Sequence, residues 1–397
     1  MLQGARQVGK STLARQLAAH DALTTTLDDQ ATLTFAQTDP HGFVAQAGSR
    51  TLVIDEAQRA PELVLALKES VDRDRRPGRF ILTGSVDLLA APGVGDSLAG
   101  RREALVVRPF STGEVERRAT PEDFATWLLE GSAEDGEYDT DIIQHVLAGG
   151  FPEPLKRSER RAHAWFTDYV ETLARHDAAS LSSGSFPQHL TGLLRILSAQ
   201  GQTELVKARL ARQVGVAEGT LDAHLQLLDA MYLLQELPAW GVGFGGRVIR
   251  RPKVGVVDTG MAASLSGLNA EQAARVGGRE LFGALLEQFV AGELLKQAAW
   301  SQQRYRLYHY RQRATEVDIV LEMADGGLVL IEVKSALSVG ADSWRHLQTI
   351  RQDLGDRVRA GVVLYGGTRA MRMHGWLHVL PVAALWRHPD TENEERP

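Results

Sequence analysis

Cysteine is absent from the 397-residue sequence, which excludes a disulfide scaffold, a cysteine nucleophile and a cysteine-ligated metal. The sequence also lacks any run of about 18 uncharged apolar residues and any basic-then-apolar leader at its start. An excess of positive charge is missing too, since 44 basic against 50 acidic side chains give a net charge of -6. We therefore predict a cytoplasmic protein with no membrane partner, in which any nucleic-acid contact comes from a local patch.

The apolar and charged fractions, 44% and 24%, are those of a folded globular protein, and the length predicts two or three domains. The order of apolar runs and helical spacings predicts a mixed α/β chain without internal repeats. Its predicted parts are an α/β domain at 1–115, a helical region at 116–200, two helices with a hairpin at 201–260, and a second α/β domain at 278–388.

Strands are predicted where continuous apolar runs are bounded by turn residues, because such runs suit a parallel sheet that is buried on both faces. In the first domain these runs are 23–27, 51–54, 79–83 and 106–107. In the last domain a helix at 280–297 precedes strand candidates at 305–310, 316–321, 328–333 and 361–365. Glycines and prolines at 148–154 interrupt the helical region, and the polar, acidic tail 390–397 is expected to fray.

The segment Gly4–Ser11 fits the pattern G-x-x-x-x-G-K-[ST] and runs directly into a helical spacing. Such a loop lets backbone N–H groups surround phosphate oxygens, while Lys10 reaches the β- and γ-phosphates and the Ser11 hydroxyl binds Mg²⁺. A glycine-rich turn without a nucleotide is the alternative. The residues predicted to contact ATP are Gly4, Ala5, Arg6, Gln7, Val8, Gly9, Lys10, Ser11, Thr12 and Asp55.

Two polar strand ends downstream support the nucleotide site. The strand at 51–54 ends in Asp55 and Glu56, where Asp55 is suited to hold Mg²⁺ with Ser11 and Glu56 to polarise an attacking water. The strand at 79–83 leads to Ser85, whose hydroxyl is placed to position that water. These residue types in this order predict an ATP-hydrolysing enzyme.

With these blocks the sequence resembles AAA+-like P-loop ATPases, specifically a prokaryotic group with a C-terminal domain of unknown function. Leu98–Arg101 matches a further block of that group. The resemblance implies that Ser85, or less readily Thr83, is the polar sensor and that Arg101 contacts a γ-phosphate in its own or a neighbouring subunit, which makes a homo-oligomer a candidate state. From charge alone, Arg101 and Arg102 fit a solvated surface equally well.

The start of the chain departs from the P-loop pattern. Only Met1–Gln3 precede Gly4, whereas a P-loop follows a strand of about four to six apolar residues. The first strand is therefore expected to be clipped. Either the genuine start lies further upstream or the chain binds ATP weakly.

A second set of charged residues lies on two predicted strands near the C-terminus. Asp318 is on the first, and Glu332 and Lys334 project from one face of the returning strand. Carboxylates at these positions suit Mg²⁺, with Glu287 as a third acid on the preceding helix and Lys334 acting on a water or on phosphate charge. A solvated strand edge is the alternative, but a Glu-x-Lys in an otherwise apolar strand is costly without a partner.

This region resembles the PD-(D/E)xK nuclease superfamily, which implies a restriction-endonuclease-like fold. The blocks that carry the resemblance are Leu286–Val290, Tyr310–Arg311 and Glu316–Ile319, and Val317 stands where the motif has proline. Whether the centre cleaves a strand is left open, since folds outlast their chemistry.

The segment 201–260 is interpreted as a winged helix-turn-helix, with helices hinged at Val214–Val216. Its second helix carries Glu218 and Asp222 and only His224 as a potential cation, so a structural role competes with DNA reading. A better phosphate patch, or else a solvated loop, is formed by Arg247, Arg250, Arg251 and Lys253.

Two functions follow. The first is an ATPase that uses ATP and Mg²⁺ and whose nucleotide cycle controls a Mg²⁺-dependent nuclease-like domain acting on DNA. The alternative is a non-catalytic, nucleotide-sensing regulator that binds DNA or protein through an inactive nuclease-like fold.

Overall fold

The computed structural model describes residues 1–86, 98, 100–131, 136–138, 141–181, 184–241, 251–373 and 375–388. The chain divides into two compact units. One comprises Met1–Pro109 with Leu225–Leu233, and the other comprises Phe110–His224 with Leu234–Pro397. No helix among the described residues is both long enough and apolar enough to cross a membrane.

A five-stranded parallel sheet forms the centre of the first unit, in the order β2-β3-β4-β1-β5. Its strands lie where the apolar runs predict them, which confirms an α/β domain with a parallel sheet. The strands are β1 (Leu2–Gln3), β2 (Leu23–Thr26), β3 (Leu52–Asp55), β4 (Phe80–Gly84) and β5 (Leu105–Val106).

Helices cover both faces of this sheet. They are α1 (Lys10–Leu17), α2 (Gln30–Thr38), α3 (Pro40–Ala45) and α4 (Leu63–Arg73). Leu52 and Ile54 pack in one core with α2, α3 and α4, whereas Val53 packs in another with Ala14 of α1. The alternation of side chains along β3 thus explains why its run is apolar at every position.

The second unit begins with a helical region, as the spacing predicts. Its helices are α5 (Thr112–Val115), α6 (Phe124–Leu129), α7 (Ile142–Ala148), α8 (Glu159–Thr172), α9 (Ala178–Leu181) and α10 (Phe186–Gln200). The predicted interruption follows α7, where Gly149 adopts a φ of 64° that favours glycine.

A small antiparallel sheet follows, in the order β6-β8-β7. The elements are β6 (Thr203–Glu204), α11 (Lys207–Val214), α12 (Glu218–Ala230), β7 (Leu234–Leu237) and β8 (Lys253–Val256). Gly215, with a φ of 82°, ends α11 and separates the two helices. This order is the one predicted for a winged helix-turn-helix, and that assignment stays a prediction.

The C-terminal part contains a six-stranded mixed sheet in the order β13-β14-β12-β11-β10-β9. Strands β9 to β11 are antiparallel neighbours, whereas β11, β12 and β14 run parallel. The strands are β9 (Tyr305–Gln312), β10 (Thr315–Met323), β11 (Leu328–Lys334), β12 (Val358–Tyr365), β13 (Met371–Met373) and β14 (Leu377–Pro381), of which the last two were not predicted. The helices are α13 (Thr259–Ser266), α14 (Ala270–Ala274), α15 (Arg279–Gln297) and α16 (Arg345–Leu354). The predicted frayed tail lies outside the described residues.

Candidate nucleotide site and acidic centre

The loop Gly4–Gly9 joins β1 to α1 and is shaped by residues with positive φ. A Cβ atom on Gly4 would lie 2.2 Å from the carbonyl oxygen of Val107, so only glycine fits there. Gly9 has open space around it but a φ of 102°, which again favours glycine. The loop is therefore bent sharply into the N-terminus of α1, the arrangement that presents backbone N–H groups to phosphate.

Lys10 is the first residue of α1 and is 5% exposed. Its ammonium donates hydrogen bonds to the carbonyl oxygens of Gly4 at 3.0 Å and Ala5 at 2.7 Å. Burial lowers the pKa of Lys10 to about 8, although the charges of Glu56 and Asp55 act in the opposite direction. The lysine therefore lies folded over the loop, where an anion would compete with the two carbonyls.

Ser11 and Asp55 meet across the carboxyl ends of the strands. The Ser11 hydroxyl donates to the Asp55 carboxylate over 2.7 Å, and the Thr83 hydroxyl hydrogen-bonds the same oxygen. A hydroxyl and a carboxylate side by side are oxygen ligands of the kind that Mg²⁺ takes in P-loop proteins. The donor set predicted from the sequence therefore fits this ion.

Glu56 follows Asp55 with a φ of 57°, a left-handed conformation that turns its side chain away from the strand. Its carboxylate accepts a hydrogen bond from the Ser85 hydroxyl at 3.1 Å and another from the amide of Gln58. That amide also lies 3.1 Å from the Ser85 hydroxyl oxygen. The predicted base and the predicted sensor are thus brought together, with Thr83 on the side of Asp55.

Sequence analysis missed the role of Gln58, which holds both Glu56 and Ser85. The available signal was an amide two positions after the second acid of the strand end. A Cβ atom on Gly84 would lie 3.1 Å from the Gln58 side-chain oxygen, so the absence of a side chain at Gly84 leaves room for this contact.

Arg101 does not join this group. Its guanidinium pairs with both carboxylate oxygens of Asp72, at 2.6 and 3.1 Å. Asp72 lies in the last turn of α4, and this helix leads from the carboxyl ends of the strands toward the start of β4. Arg101 lines a cleft there together with Met1 and Phe80. This placement does not support a γ-phosphate contact within the same chain; the contact from a neighbouring subunit stays a prediction.

The acidic centre of the second unit is built on the β10–β11 pair. Asp318 faces Glu332 across the two strands, next to the register pair Ile319 and Ile331. One Asp318 oxygen accepts from the Val333 N–H at 2.8 Å, and one Glu332 oxygen accepts from Lys334 at 2.6 Å. The other Glu332 oxygen is buried without a hydrogen-bond partner. The three residues predicted from the Glu-x-Lys pattern therefore lie together.

Lys253 of β8 also enters this centre, which corrects the sequence interpretation. We predicted an exposed phosphate patch with Arg247, Arg250 and Arg251, but Lys253 is 6% exposed. Its ammonium lies 3.4 Å from Glu287, 3.4 Å from Glu316 and 3.8 Å from Asp318. Of the other patch residues, Arg251 is exposed, and Arg247 and Arg250 lie outside the described residues.

The acids of this centre are close enough to shift each other's pKa. Burial, together with the charge of Asp318, raises the pKa of Glu287 and of Glu332, although Lys253 and Lys334 respectively act against that rise. Burial alone would lower the pKa of Lys253, but Asp318, Glu287 and Glu316 raise it. Lys253 is therefore held in its charged form, whereas the carboxyl groups of Glu287 and Glu332 resist ionisation.

The acids do not form a ready cage for a metal ion. Within the described ranges, no group of three or more histidine or acidic side chains is arranged to hold one. The oxygens around Lys253 lie at 3.4 to 3.8 Å from its nitrogen, whereas Mg²⁺ needs ligands at about 2.1 Å. The Mg²⁺ ligation predicted for Glu287, Asp318 and Glu332 thus stays a prediction that requires rearrangement.

The one potential cation of α12, the helix predicted to read DNA, is buried. His224 is 3% exposed and packs against the rings of Phe186 and His189, so it cannot meet a phosphate as sequence analysis had allowed. Burial lowers the pKa of His224, which favours the neutral ring. Asp222 is engaged by Lys207 at 2.7 Å. The described face of α12 therefore fits the structural alternative better than DNA reading.

The parallel sheet, the bent loop and the acid-ended strand are consistent with a P-loop NTPase-like fold. Residues 1–116 match a family model described as AAA domain, which indicates a nucleotide-binding domain of the ATPase type. Residues 139–272 and 282–385 match two domains of unknown function, DUF8612 and DUF4143. Uncharacterized proteins of Mycobacterium tuberculosis and Mycobacterium bovis are each 29% identical over 328 residues, which are 82% of this chain and 67% of the relative.

Proposed function

We propose that the first unit binds ATP with Mg²⁺ and hydrolyses it. The observation that carries this proposal is the convergence of Lys10, Ser11, Asp55, Glu56 and Ser85 at the carboxyl ends of β1, β3 and β4. Ligands of parallel α/β sheets bind at that edge. The same five side chains supply a phosphate-binding cation, a metal-binding pair, a base and a polar sensor.

The residues act in sequence around the bound nucleotide. Lys10 exchanges the carbonyl oxygens of Gly4 and Ala5 for phosphate oxygens, so its positive charge meets a negative partner. Ser11 and Asp55 would hold Mg²⁺, which would supply charge neutralisation for the phosphates. Glu56 leaves its bonds to Gln58 and Ser85 and takes the proton of the attacking water, while Ser85 orients that water.

A pair of substitutions at Ser11 tests the metal-binding part of this proposal. Ser11→Ala removes the hydroxyl that meets Asp55 and should lower Mg²⁺-dependent hydrolysis by about tenfold or more, because a neutral hydrogen-bonding ligand is lost. Ser11→Thr keeps a hydroxyl and should retain most of the rate. Phosphate release at several Mg²⁺ concentrations measures both. Equal rates in the alanine variant and the wild type would remove Ser11 from the site.

We also propose that the C-terminal centre acts on phosphodiesters. The supporting observation is the placement of Asp318, Glu332 and Lys334 at one end of β10 and β11, with Glu287 beside them on α15. The order α15-β9-β10-β11 agrees with the helix and following strands that the sequence predicts for the last domain. Control of this centre by the ATP cycle, DNA as its substrate and homo-oligomer formation all remain parts of the proposal.

Cleavage of plasmid DNA and of RNA tests this second function. Wild type should cut with Mn²⁺ or Mg²⁺ raised into the tens-of-millimolar range, and Asp318→Ala and Glu332→Ala should each remove the cut, because both acids lie in the centre. Exposed Asp342→Ala is a matched control in the same part of the chain. No cleavage by wild type, with or without ATP, would favour the non-catalytic regulator that binds DNA or protein.

A further inference from the structure

The acidic centre receives its cation from a separate part of the chain. Lys253 belongs to β8, within the segment 139–272, whereas Glu287, Glu316 and Asp318 lie in the segment 282–385. The Lys253 side chain is 7% exposed and its ammonium is surrounded by those three acids. A lysine so deeply buried cannot extend to a phosphate at the surface.

The backbone fixes Lys253 in this position. It is paired on one side with Glu204 of β6 and on the other with Leu237 of β7. The same segment is tied to β9, because the Trp240 N–H donates to the His309 carbonyl at 2.6 Å and the His309 ring contacts the Arg251 carbonyl at 2.9 Å. Strand pairing therefore fixes the backbone of Lys253 beside the acidic centre, and its buried side chain reaches the acids.

The acids of the centre are arranged around the ammonium of Lys253. The three acids stand at 3.4 to 3.8 Å from the Lys253 nitrogen, too far from that point to ligate Mg²⁺ placed there. Two lysines, Lys253 and Lys334, face four acids, and one Glu332 oxygen remains buried without a hydrogen-bond partner.

We propose that Lys253 is an internal competitor of the divalent cation at the C-terminal centre. Metal binding there requires the Lys253 ammonium to withdraw and the acids to contract around the ion. This inference rests on the proposed function of the centre. It identifies Lys253 as a residue that excludes the metal ion, in addition to the acids that are proposed to bind that ion.

Equilibrium binding of Mn²⁺ to the full chain tests the competition. All proteins carry Asp55→Asn, which removes the acid of the nucleotide site, and free Mn²⁺ is measured by electron paramagnetic resonance. Lys253→Met should bind Mn²⁺ at least about tenfold more tightly than the protein with Lys253, because a buried like charge is removed. Adding Asp318→Asn to Lys253→Met should abolish the gain.

Two further lysine variants distinguish the effect of an ammonium inside the centre from the effect of the overall charge of the centre on Mn²⁺ binding. Lys253→Arg keeps the charge in place and should bind Mn²⁺ no better than the parent. Lys334→Met removes the same charge from a side chain that is 37% exposed and pairs with Glu332, so its gain should be clearly smaller. An equal gain from Lys334→Met would show a general charge effect and overturn the proposal.

If Lys253→Met is unstable, its melting temperature with and without Mn²⁺ provides a second measurement of metal binding. That variant leaves buried acids unpaired and should melt at a lower temperature, with Mn²⁺ restoring much of the loss. Tight, Asp318-dependent binding that is equal with and without Lys253 would overturn this inference but leave the metal centre standing. If neither protein binds Mn²⁺, the metal centre itself fails, and the competition with it.

Discussion

Lys10→Ala should abolish ATP-induced stabilisation of the protein and lower ATP hydrolysis by about 100-fold or more, a loss of ~3 kcal/mol. The side chain is buried, and the hydrogen bonds described for its ammonium go to the carbonyls of Gly4 and Ala5. In the proposed site this charge would meet the β- and γ-phosphates. Neighbouring Arg15 is exposed on α1 and does not lie in the loop.

The shift in melting temperature with ATP and Mg²⁺ measures this effect, and a fluorescent nucleotide gives the affinity. Lys68→Ala is the matched control, since it removes a lysine from α4 that is half-buried and outside the nucleotide site. It should leave both readouts unchanged. The same ATP-induced shift in Lys10→Ala and in wild type would refute the nucleotide site as proposed.

Glu56→Gln should retain ATP binding and slow hydrolysis by about 100-fold or more. Glutamine keeps the shape of the side chain but cannot take the proton of the attacking water. The hydrogen bond from Ser85 can still be accepted by the amide oxygen, so the local structure should persist. Loss of rate without loss of affinity is the signature of an interaction made only in the transition state.

Single-turnover phosphate release and nucleotide titration separate the two quantities. Glu62→Gln changes an exposed acid just before α4 and serves as the matched control, with rate and affinity expected to equal those of wild type. If Glu56→Gln hydrolyses ATP at the wild-type rate, Glu56 is not the base. If it fails to bind ATP, the residue belongs to the binding site instead.

The grouping of side chains at the candidate nucleotide site was predictable because its signals are local. Gly4 and Gly9 are required by the loop itself, and the strand that ends in Asp55 and Glu56 is a continuous apolar run. Parallel pairing then brings the strand ends together, which is how Ser85 meets Glu56. Sequence order was therefore sufficient to predict both the sheet and the grouping of these side chains.

Lys253 could not be placed in the same way. It lies in sequence beside Arg251, so a basic patch was the natural interpretation, whereas its partners Glu316 and Asp318 are more than sixty residues away. The missed signal was a lysine at the start of an apolar strand, where burial is costly without an opposite charge. His224 was misjudged for a related reason, since helical spacing alone did not reveal that Phe186 and His189 cover it.

The position of Lys253 limits how freely the parts of this protein can be exchanged. Two adjoining regions match separate family models, as expected of domains that can be exchanged by recombination or expressed separately in the laboratory. A fragment that begins after β8 would, however, contain Glu287, Glu316 and Asp318 without their buried counter-charge. Such a fragment would need protons, salt or a foreign cation to fold, so its chemistry would not report on the intact chain. The acidic centre therefore depends on side chains from both matched regions.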